Sequence, residues 1–313
     1  MLGKPPVLLL MGPTASGKTA LSVALAQRLN AEIISVDSAM VYRGMDIGTA
    51  KPDLAEQAGV VHHLIDILDP AESFSTGQFR DLALKLITEI QARGKFPILV
   101  GGTMLYFSAL TQGLAQLPAA DPVIRARLDQ ALQVLGKQAM HDRLSAIDPQ
   151  SAARIHVNDP QRVQRALEVF ELTGQTLTSF FSQNDAVQTD FNFVKCIINP
   201  ESRQVLHEKI AQRFRAMLAQ GLIAEVEGLY ARGDLHPGLP SIRCVGYRQV
   251  WDYLQGEISR TELEAQGIAA TRQLAKRQLT WLRKEQNYCA LQTDDPQLIK
   301  QVLSYCQRQG VAV

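Results

Sequence analysis

The amino-acid sequence predicts an α/β protein with a parallel sheet flanked by helices and an inserted all-helical lobe. Strand-length apolar runs alternate with helix-period stretches over the first part of the chain, and a glycine-rich loop joins the first run to a helix. Strand patterns are missing between 117 and 190, where helix signals dominate. We therefore predict three segments: 1–116 as the first part of the core, 117–190 as the helical lobe, and 191–313 as the second part of the core with C-terminal helices.

The loop after the first apolar run, Val7 to Met11, has the spacing G-x-x-x-x-G-K-[ST] and makes the predicted sheet P-loop NTPase-like. Its backbone N–H groups and the dipole of the next helix suit a chain of phosphates, while Lys18 adds a charge and the Thr19 hydroxyl can reach Mg²⁺. The loop recognises phosphates and little else, so the phosphorylated compound stays open. The predicted binding residues are Gly12, Pro13, Thr14, Ala15, Ser16, Gly17, Lys18 and Thr19.

Composition limits where partners can bind. Lys plus Arg number 32 and Asp plus Glu number 31 among 313 residues, so any positive surface must be local. The four cysteines lie far apart without a C-x-x-C pair, which is typical of reduced thiols. The N-terminal apolar run is too short for a membrane span or a signal peptide, and we expect a cytoplasmic protein with no membrane partner.

A second strand, Glu32 to Val36, ends directly before Asp37. Ligands of open parallel sheets gather beyond the carboxyl ends of the strands, so Asp37 is expected to face the same crevice as the phosphate loop. There its carboxylate could hold Mg²⁺ through water or accept a proton from a nucleophile. Position alone leaves equal room for a structural role, because Asp-Ser is a common capping pair.

Another strand, Phe96 to Val100, ends in Gly101, Gly102 and Thr103. The two glycines allow backbone and ligand to approach closely, and Thr103 offers a hydroxyl at the mouth of the crevice. P-loop NTPases usually end such a strand with an Asp or Glu, which is missing here. The pattern therefore argues against a motor-type ATPase and leaves Asp37 as the available carboxylate.

The predicted lobe contains a well-defined helix signal. Asp159 is typical of a cap before a first-turn proline, and the helix is predicted from Pro160 to Thr173. Arg162 and Arg165 lie on a side of this helix away from its apolar residues. From spacing alone, a solvated face explains these arginines better than a binding contact does.

The sheet pattern returns with the strand Phe193 to Pro200, and the helix that follows carries Arg213 beside its apolar stripe. Nearer the C-terminus, the helical stretch TRQLAKRQLTWLRKEQ has five cations with no acid between them and Trp281 among them. A basic stripe with an aromatic residue suits binding to a phosphate backbone. These cations are Arg272, Lys276, Arg277, Arg283 and Lys284.

The chain resembles the bacterial tRNA dimethylallyltransferase (tRNA isopentenyltransferase) family in six strings that occur in order: GPTASGKT, DSAMVYRGMDIGTAKP, VGGTMLYF, NDPQRVQRALEV, SIRCVGYRQVW and TRQLAKRQLTWLR. The resemblance runs from about Gly12 to Arg283, with no departure at the motif positions. It implies transfer of a dimethylallyl group from dimethylallyl diphosphate to the exocyclic amine of the adenosine 3′-adjacent to the anticodon in tRNA, forming isopentenyladenosine. Mg²⁺ is the implied cofactor.

The resemblance also implies roles for individual residues. Asp37 would be the general base, and Thr103 would hydrogen-bond the target base or its surroundings. Lys18 and Arg213 would stabilise the departing diphosphate. With the basic stripe included, the expected contacts to the anticodon arm are Asp37, Ser38, Ala39, Met40, Thr103, Arg125, Gln161, Arg162, Val163, Gln164, Arg165, Arg243, Cys244, Val245, Gly246, Tyr247, Arg248, Arg272, Lys276 and Arg283.

Other functions stay open alongside this one. A P-loop small-molecule kinase would hold ATP in the loop and use Asp37 as the base for a substrate hydroxyl. A prenyltransferase could instead modify free AMP or ADP, although the basic helices favour tRNA. A non-enzymatic RNA-binding module would leave the intact phosphate loop without a purpose. The sequence has no heptad seam that would indicate a protein partner, so we expect a monomer.

Overall fold

A computed structural model describes residues 4–115, 117–182 and 190–311, which form a six-stranded sheet in the order β3-β2-β4-β1-β5-β6. All neighbouring strands pair in parallel, so the predicted parallel sheet flanked by helices is confirmed. The strands are β1 (Pro6–Met11), β2 (Ala31–Val36), β3 (His62–His63), β4 (Phe96–Gly101), β5 (Asn192–Asn199) and β6 (Tyr288–Gln292).

Helices cover both faces of the sheet and make up the inserted segment. They are α1 (Lys18–Arg28), α2 (Leu54–Gln57), α3 (Thr76–Ala92), α4 (Met104–Gln112), α5 (Pro122–Ile147), α6 (Pro149–Arg154), α7 (Pro160–Thr173), α8 (Leu177–Ser182), α9 (Arg203–Gln220), α10 (Leu222–Tyr230), α11 (Tyr247–Leu254), α12 (Arg260–Leu282) and α13 (Leu298–Arg308). Among these helices, none combines the length and apolar character needed to cross a membrane.

The central strand β1 is apolar almost throughout because helices cover both of its faces, as a parallel sheet requires. Side chains of a strand point alternately to opposite faces. Val7 and Leu9 therefore pack in a cluster with residues of α3 and α4, whereas Leu8 and Leu10 pack with residues of α1 and α13. The alternation fixes the sheet between two helical layers.

The carboxyl ends of β1, β2 and β4 lie side by side. Gly101 of β4 pairs with Met11 on one side and with Val36 on the other. A Cβ atom on Gly101 would stand 2.0 Å from the Val36 carbonyl oxygen, so the close approach of β4 to β2 requires glycine. The loops that follow these strands, including Asp37, consequently start at one edge of the sheet.

The chain divides into two compact units, one of Met1–Thr111 with Thr189–Val313 and the other of Gln112–Gln188. The predicted lobe of 117–190 covers α5 to α8, and the described residues of this unit contain no strand. Its helices bury an apolar core that includes Leu128, Leu144 and Leu167. Gly136, with φ of 80°, interrupts the helical backbone within α5.

The C-terminal segment contains a strand that the sequence patterns do not predict. Tyr288–Gln292 forms β6 beside β5, at the edge of the sheet. Leu291 is the buried residue of this strand, and the others are partly or fully exposed, so one side chain of β6 packs into the core. Val302 and Cys306 of α13 then complete the apolar layer beside it.

Candidate active site

The phosphate loop joins β1 to α1 and has the geometry of an anion site. α1 begins after Gly17, whose φ of 77° lies in the left-handed region and which supplies no side-chain cap. The N–H groups of the first turn are therefore open to an anion. Gly12 is also required, because a Cβ atom there would stand 2.8 Å from the Ile198 carbonyl oxygen and 2.9 Å from Ser16 Oγ.

Lys18 folds back into the loop at the start of α1. Its Nζ donates to the Pro13 carbonyl oxygen (2.5 Å) and to Ser16 Oγ (3.3 Å). Burial, with a smaller effect from the positive charge of Arg213, lowers the pKa of Lys18 to about 7, and the Asp37 carboxylate opposes this shift. An anion in the loop would favour the charged lysine, so the site suits a negatively charged ligand.

Arg213 reaches the same site from α9. Burial lowers the pKa of its guanidinium, while the carboxylates of Asp37 and Glu56 raise it. The charges of Arg213 and Asp37 both act on Lys18, and the Asp37 carboxylate also acts on Arg213, although the three residues come from separate parts of the chain. Two cations beside one carboxylate leave an excess of positive charge, which a diphosphate would complement.

Asp37 combines a structural role with a free oxygen. Its Oδ1 accepts hydrogen bonds from Ala39 N (2.8 Å) and, more weakly, Met40 N (3.4 Å), so the turn-capping role considered from the sequence is present. Oδ2 accepts no hydrogen bond from any described residue. The carboxylate is thus held in place by one oxygen and can receive a proton on the other.

Thr103 connects the loop after β4 to the loop after β2. Its backbone N–H donates to the Val36 carbonyl oxygen (3.1 Å). Its Oγ1 accepts from Ser38 N (3.1 Å) and lies 3.5 Å from Ser38 Oγ. The hydroxyl therefore sits one residue from Asp37 and fixes that loop, while its predicted contact to a base stays a prediction.

Glu225 holds the segment after Asp37, and sequence analysis misses it. Its Oε2 accepts from Asp46 N (3.0 Å) and Ile47 N (2.7 Å), and its Oε1 accepts from Gly48 N (3.2 Å) and from the Tyr247 hydroxyl. One carboxylate of α10 thereby orders a loop without regular secondary structure. The signal in the sequence is weak: an acidic residue between Leu222 and Val226 of a mostly apolar helix.

Two further polar residues that the sequence analysis did not single out support the phosphate loop. Gln278 of α12 accepts from Thr14 N (2.8 Å), and Thr293, directly after β6, donates to the Ser16 carbonyl oxygen (3.3 Å). Both are buried. Helical periodicity places Gln278 on the face of Ala275 and Leu282, and a polar residue on an apolar face is the signal that could identify it.

The segment from Arg243 to Arg248 divides between surface and core. Arg243 and Arg248 are exposed, whereas Gly246 and Tyr247 are buried. Val245 is half-buried, and burial raises the pKa of Cys244 to about 12, with the Asp37 carboxylate adding to the rise. The structure thus brings Cys244 near Asp37 and leaves two arginines of this segment at the surface.

The basic stripe of α12 and the residues after it is exposed. Arg272, Lys276, Arg277, Arg283 and Lys284 form no ion pair with any described residue. Trp281 lies among them and is 40% exposed. The predicted stripe is therefore a surface with uncompensated positive charge.

In the helical unit, unlike in the basic stripe of α12, predicted contact residues are paired with other groups of the protein. Arg125 and Arg165 both pair with the buried carboxylate of Glu168 (2.9 and 2.6 Å), and Arg165 also donates to the Pro118 carbonyl oxygen (2.6 Å). Gln164 Nε2 donates to the Arg125 carbonyl oxygen (3.1 Å) and to an acid of α5.

The remaining members of the QRVQR string differ in exposure. Gln161 and Arg162 are exposed. Arg162 lies 3.3 Å from its helix-capping neighbour Asp159. Val163 is 1% exposed and packs in the apolar core of the unit, so its side chain is not at the surface where an RNA contact was expected.

The phosphate loop on a parallel sheet defines the class of protein by fold, a P-loop-like α/β protein with a candidate anion site at that loop. Comparison with known proteins is more specific. The sequence profile of the IPP transferase family matches residues 40–285, and the chain belongs to this family.

Relatives and solved structures agree with this assignment. The chain is 57% identical to the tRNA dimethylallyltransferase of Methylococcus capsulatus, with 94% of each chain covered. It is 42% identical to a full-length tRNA isopentenylpyrophosphate transferase from Bacillus halodurans, covering 98% of this chain and 96% of that one with a TM-score of 0.71. A eukaryotic dimethylallyltransferase acting on tRNA is 26% identical, covering 99% of this chain and 78% of that one with a TM-score of 0.79.

Proposed function

We propose that this protein transfers a dimethylallyl group from dimethylallyl diphosphate to the exocyclic amine of the adenosine 3′-adjacent to the anticodon in tRNA, forming isopentenyladenosine. The observation that carries the proposal is that Lys18 of the phosphate loop has the guanidinium of Arg213 and the carboxylate of Asp37 close enough for both charges to act on it. The similarity to enzymes named tRNA dimethylallyltransferase and tRNA isopentenylpyrophosphate transferase supports it. It also favours this function over a small-molecule kinase.

The leaving group explains why a prenyltransferase uses a phosphate loop. When the bond between the allylic carbon and the diphosphate oxygen breaks, negative charge develops on the departing diphosphate. The first-turn N–H groups of α1, Lys18 and Arg213 are positioned to stabilise that charge. Because these donors are fixed before the reaction, little reorganisation is needed as the bond breaks.

The residues present fit a Mg²⁺ ion that arrives with the diphosphate. Thr19 is exposed at the first turn of α1, and its hydroxyl has no hydrogen bond to a described residue. No group of three or more His, Cys, Asp or Glu side chains in the described residues could hold a metal ion. The Thr19 hydroxyl would therefore be one ligand among diphosphate oxygens and waters. When bound, Mg²⁺ supplies charge neutralisation to the leaving group.

Asp37 serves as the general base. The exocyclic amine of adenine is a poor nucleophile because its lone pair is delocalised into the ring, so a nearby acceptor matters as the new bond between nitrogen and carbon forms. The amine proton passes to Asp37 Oδ2, the oxygen without a protein partner. The diphosphate departs with the electron pair of the broken carbon–oxygen bond.

The RNA must present its base outside the stack, as in other enzymes that modify bases. Asp37 to Met40 and Thr103 lie at the site and would contact the displaced adenine or its neighbours. The exposed Arg243, Arg248 and α12 cations would bind the phosphate backbone of the anticodon arm. This local positive surface is compatible with a net charge of +1 and with a cytoplasmic enzyme that meets tRNA.

The experiment incubates the protein with dimethylallyl diphosphate, Mg²⁺ and either unmodified tRNA or AMP, and measures the added prenyl mass. We expect the mass on tRNA at the adenosine beside the anticodon. Prenyl mass on AMP alone would move the assignment to nucleotide prenylation, and ATP consumption without prenyl transfer would indicate a kinase. A tRNA with the adenosine replaced by guanosine is the matched control.

A further inference from the structure

Gln278 is a buried amide on a helix whose neighbouring cations are exposed. Lys276 and Arg277 face solvent, whereas Gln278 is 8% exposed, because it shares the inner face of α12 with Ala275 and Leu282. The reaction described above assigns no role to this side chain. A polar group in that position needs partners, since burial without hydrogen bonds is costly.

Both ends of the Gln278 amide have a partner in a different loop. Oε1 accepts from Thr14 N (2.8 Å), and Nε2 donates to the Gly102 carbonyl oxygen (2.9 Å). Thr14 belongs to the phosphate loop, and Gly102 precedes Thr103 in the loop after β4. One side chain of α12 therefore holds two loops that carry site residues.

The backbone at Gly102 is shaped for this contact. A Cβ atom there would stand 2.2 Å from Gln278 Nε2. Any side chain at this position would push the amide away from both loops. The glycine pair after β4 predicts room for a ligand, but the space at Gly101 is taken by the Val36 carbonyl and the space at Gly102 by Gln278.

We propose that Gln278 is a positioning residue that keeps the phosphate loop and the Thr103 loop in a fixed relation to α12, the helix with the basic stripe. One amide then fixes the position of the diphosphate donor relative to the target base. The ligands named here rest on the proposed function, whereas the link between α12 and the two loops rests on the hydrogen bonds. Loss of the amide leaves the Thr14 N–H and the Gly102 carbonyl without a protein partner, so the loops shift.

The first test is Gln278→Ala, with Gln278→Met as a variant that keeps most of the packing volume. We expect the single-turnover rate to fall by about 10- to 100-fold, because a small misplacement of reacting groups has effects of this size. The affinity for inorganic diphosphate falls too, while tRNA affinity stays within about twofold because the exposed cations remain. Gln266→Ala, at an exposed glutamine of the same helix, is the matched control.

The second test is a double-mutant cycle with Gly102→Ala. The added methyl group should displace the amide, so Gly102→Ala alone reproduces the loss seen in Gln278→Ala. In the Gln278→Ala background the methyl group has space, and the second substitution should add little. This non-additivity is a signature that general destabilisation does not produce.

Three outcomes would overturn the proposal: additive losses in the cycle, a Gln278→Ala rate within about twofold of wild type, or a parallel loss of tRNA affinity and rate. The cycle can be run on inorganic diphosphate affinity alone. It therefore tests Gln278 even if the wild-type protein fails to prenylate tRNA, which would count against the proposed function instead.

Discussion

The cations of α12 and the arginines of the helical unit are held in different ways. Arg272 and Lys276 face solvent without an ion pair to a described residue, whereas Arg125 and Arg165 share the buried carboxylate of Glu168. An unpaired surface cation contributes to the electrostatic field and to salt-dependent binding. A paired arginine contributes fixed geometry, because its charge is largely compensated. Residues that look alike in the sequence therefore have separate physical roles.

The largest expected effect is on the rate of the reaction and comes from a residue that belongs to neither group of cations. Asp37→Asn keeps an oxygen that can accept from Ala39 N but removes the base, so the single-turnover rate should fall by about 10²-fold or more. Affinity for tRNA should change little because no cation is touched. Rapid-quench prenyl transfer and a tRNA binding titration measure the two quantities.

Asp53→Asn, at the exposed cap of α2, is the control for the Asp37 variant. If tRNA binding collapsed while the single-turnover rate held, Asp37 would be a positioning residue. The end of the sheet that holds Asp37 would then contribute to tRNA binding instead of to the chemical step.

A medium effect concerns the paired arginines. Glu168→Gln removes the charge beneath Arg125 and Arg165 and should destabilise the helical unit by about 2 to 3 kcal/mol, less than a fully buried pair because Arg125 is half-exposed. Hydrogen exchange should show faster exchange of the α5 and α7 amides, with the sheet amides as the internal reference. Unchanged protection would mean that the ion pairs of Glu168 do not stabilise α5 and α7.

The same carboxylate gives the unit a pH dependence. Burial alone would raise the pKa of Glu168, but hydrogen bonds from Arg165, Arg125 and the Asp121 N–H, with the charge of Arg125, together outweigh it and hold the pKa below its ordinary value of 4.5. A lowered carboxyl pKa contributes stability above the ordinary value, and that contribution is lost as the pH falls below it. We expect α7 protection to decline below pH 4.5 in wild type and to be flatter in Glu168→Gln.

The smallest effect tests the cations themselves. Arg272→Ala and Lys276→Ala should each weaken tRNA binding and reduce the slope of log affinity against log salt by about 0.7 to 0.9, the amount expected for one phosphate contact. Arg162→Ala and Arg165→Ala should change the slope less, because each charge has an acidic partner. Arg215→Ala, whose partner is Glu264, serves as the control. Equal slopes for all variants would remove the distinction between the two regions.

The sequence is most informative where a local pattern determines the structure. The phosphate loop, strands β1, β2 and β4 and the helix Pro160–Thr173 follow from motif spacing, apolar runs and a cap, and the structure has that helix with the same bounds. Asp37 was predictable as a residue of the sheet edge because parallel strands end together.

Features that depend on distant residues were not predictable. Glu225 and Gln278 act on backbone far away in the chain, and no local pattern records those hydrogen bonds. The pairing of Arg125 of α5 with Glu168 of α7 also needs the folded packing of their unit. Strand β6 was not predicted, because its apolar run, Tyr288 to Leu291, is only four residues long and a run this short does not by itself identify a strand.

The contact of Thr293 with Ser16 spans 277 residues. The ribosome synthesises the phosphate loop well before Thr293, the residue that braces it. The loop therefore lacks this support until Thr293 has been made, so a nascent chain that stops short of Thr293 carries the motif without this brace.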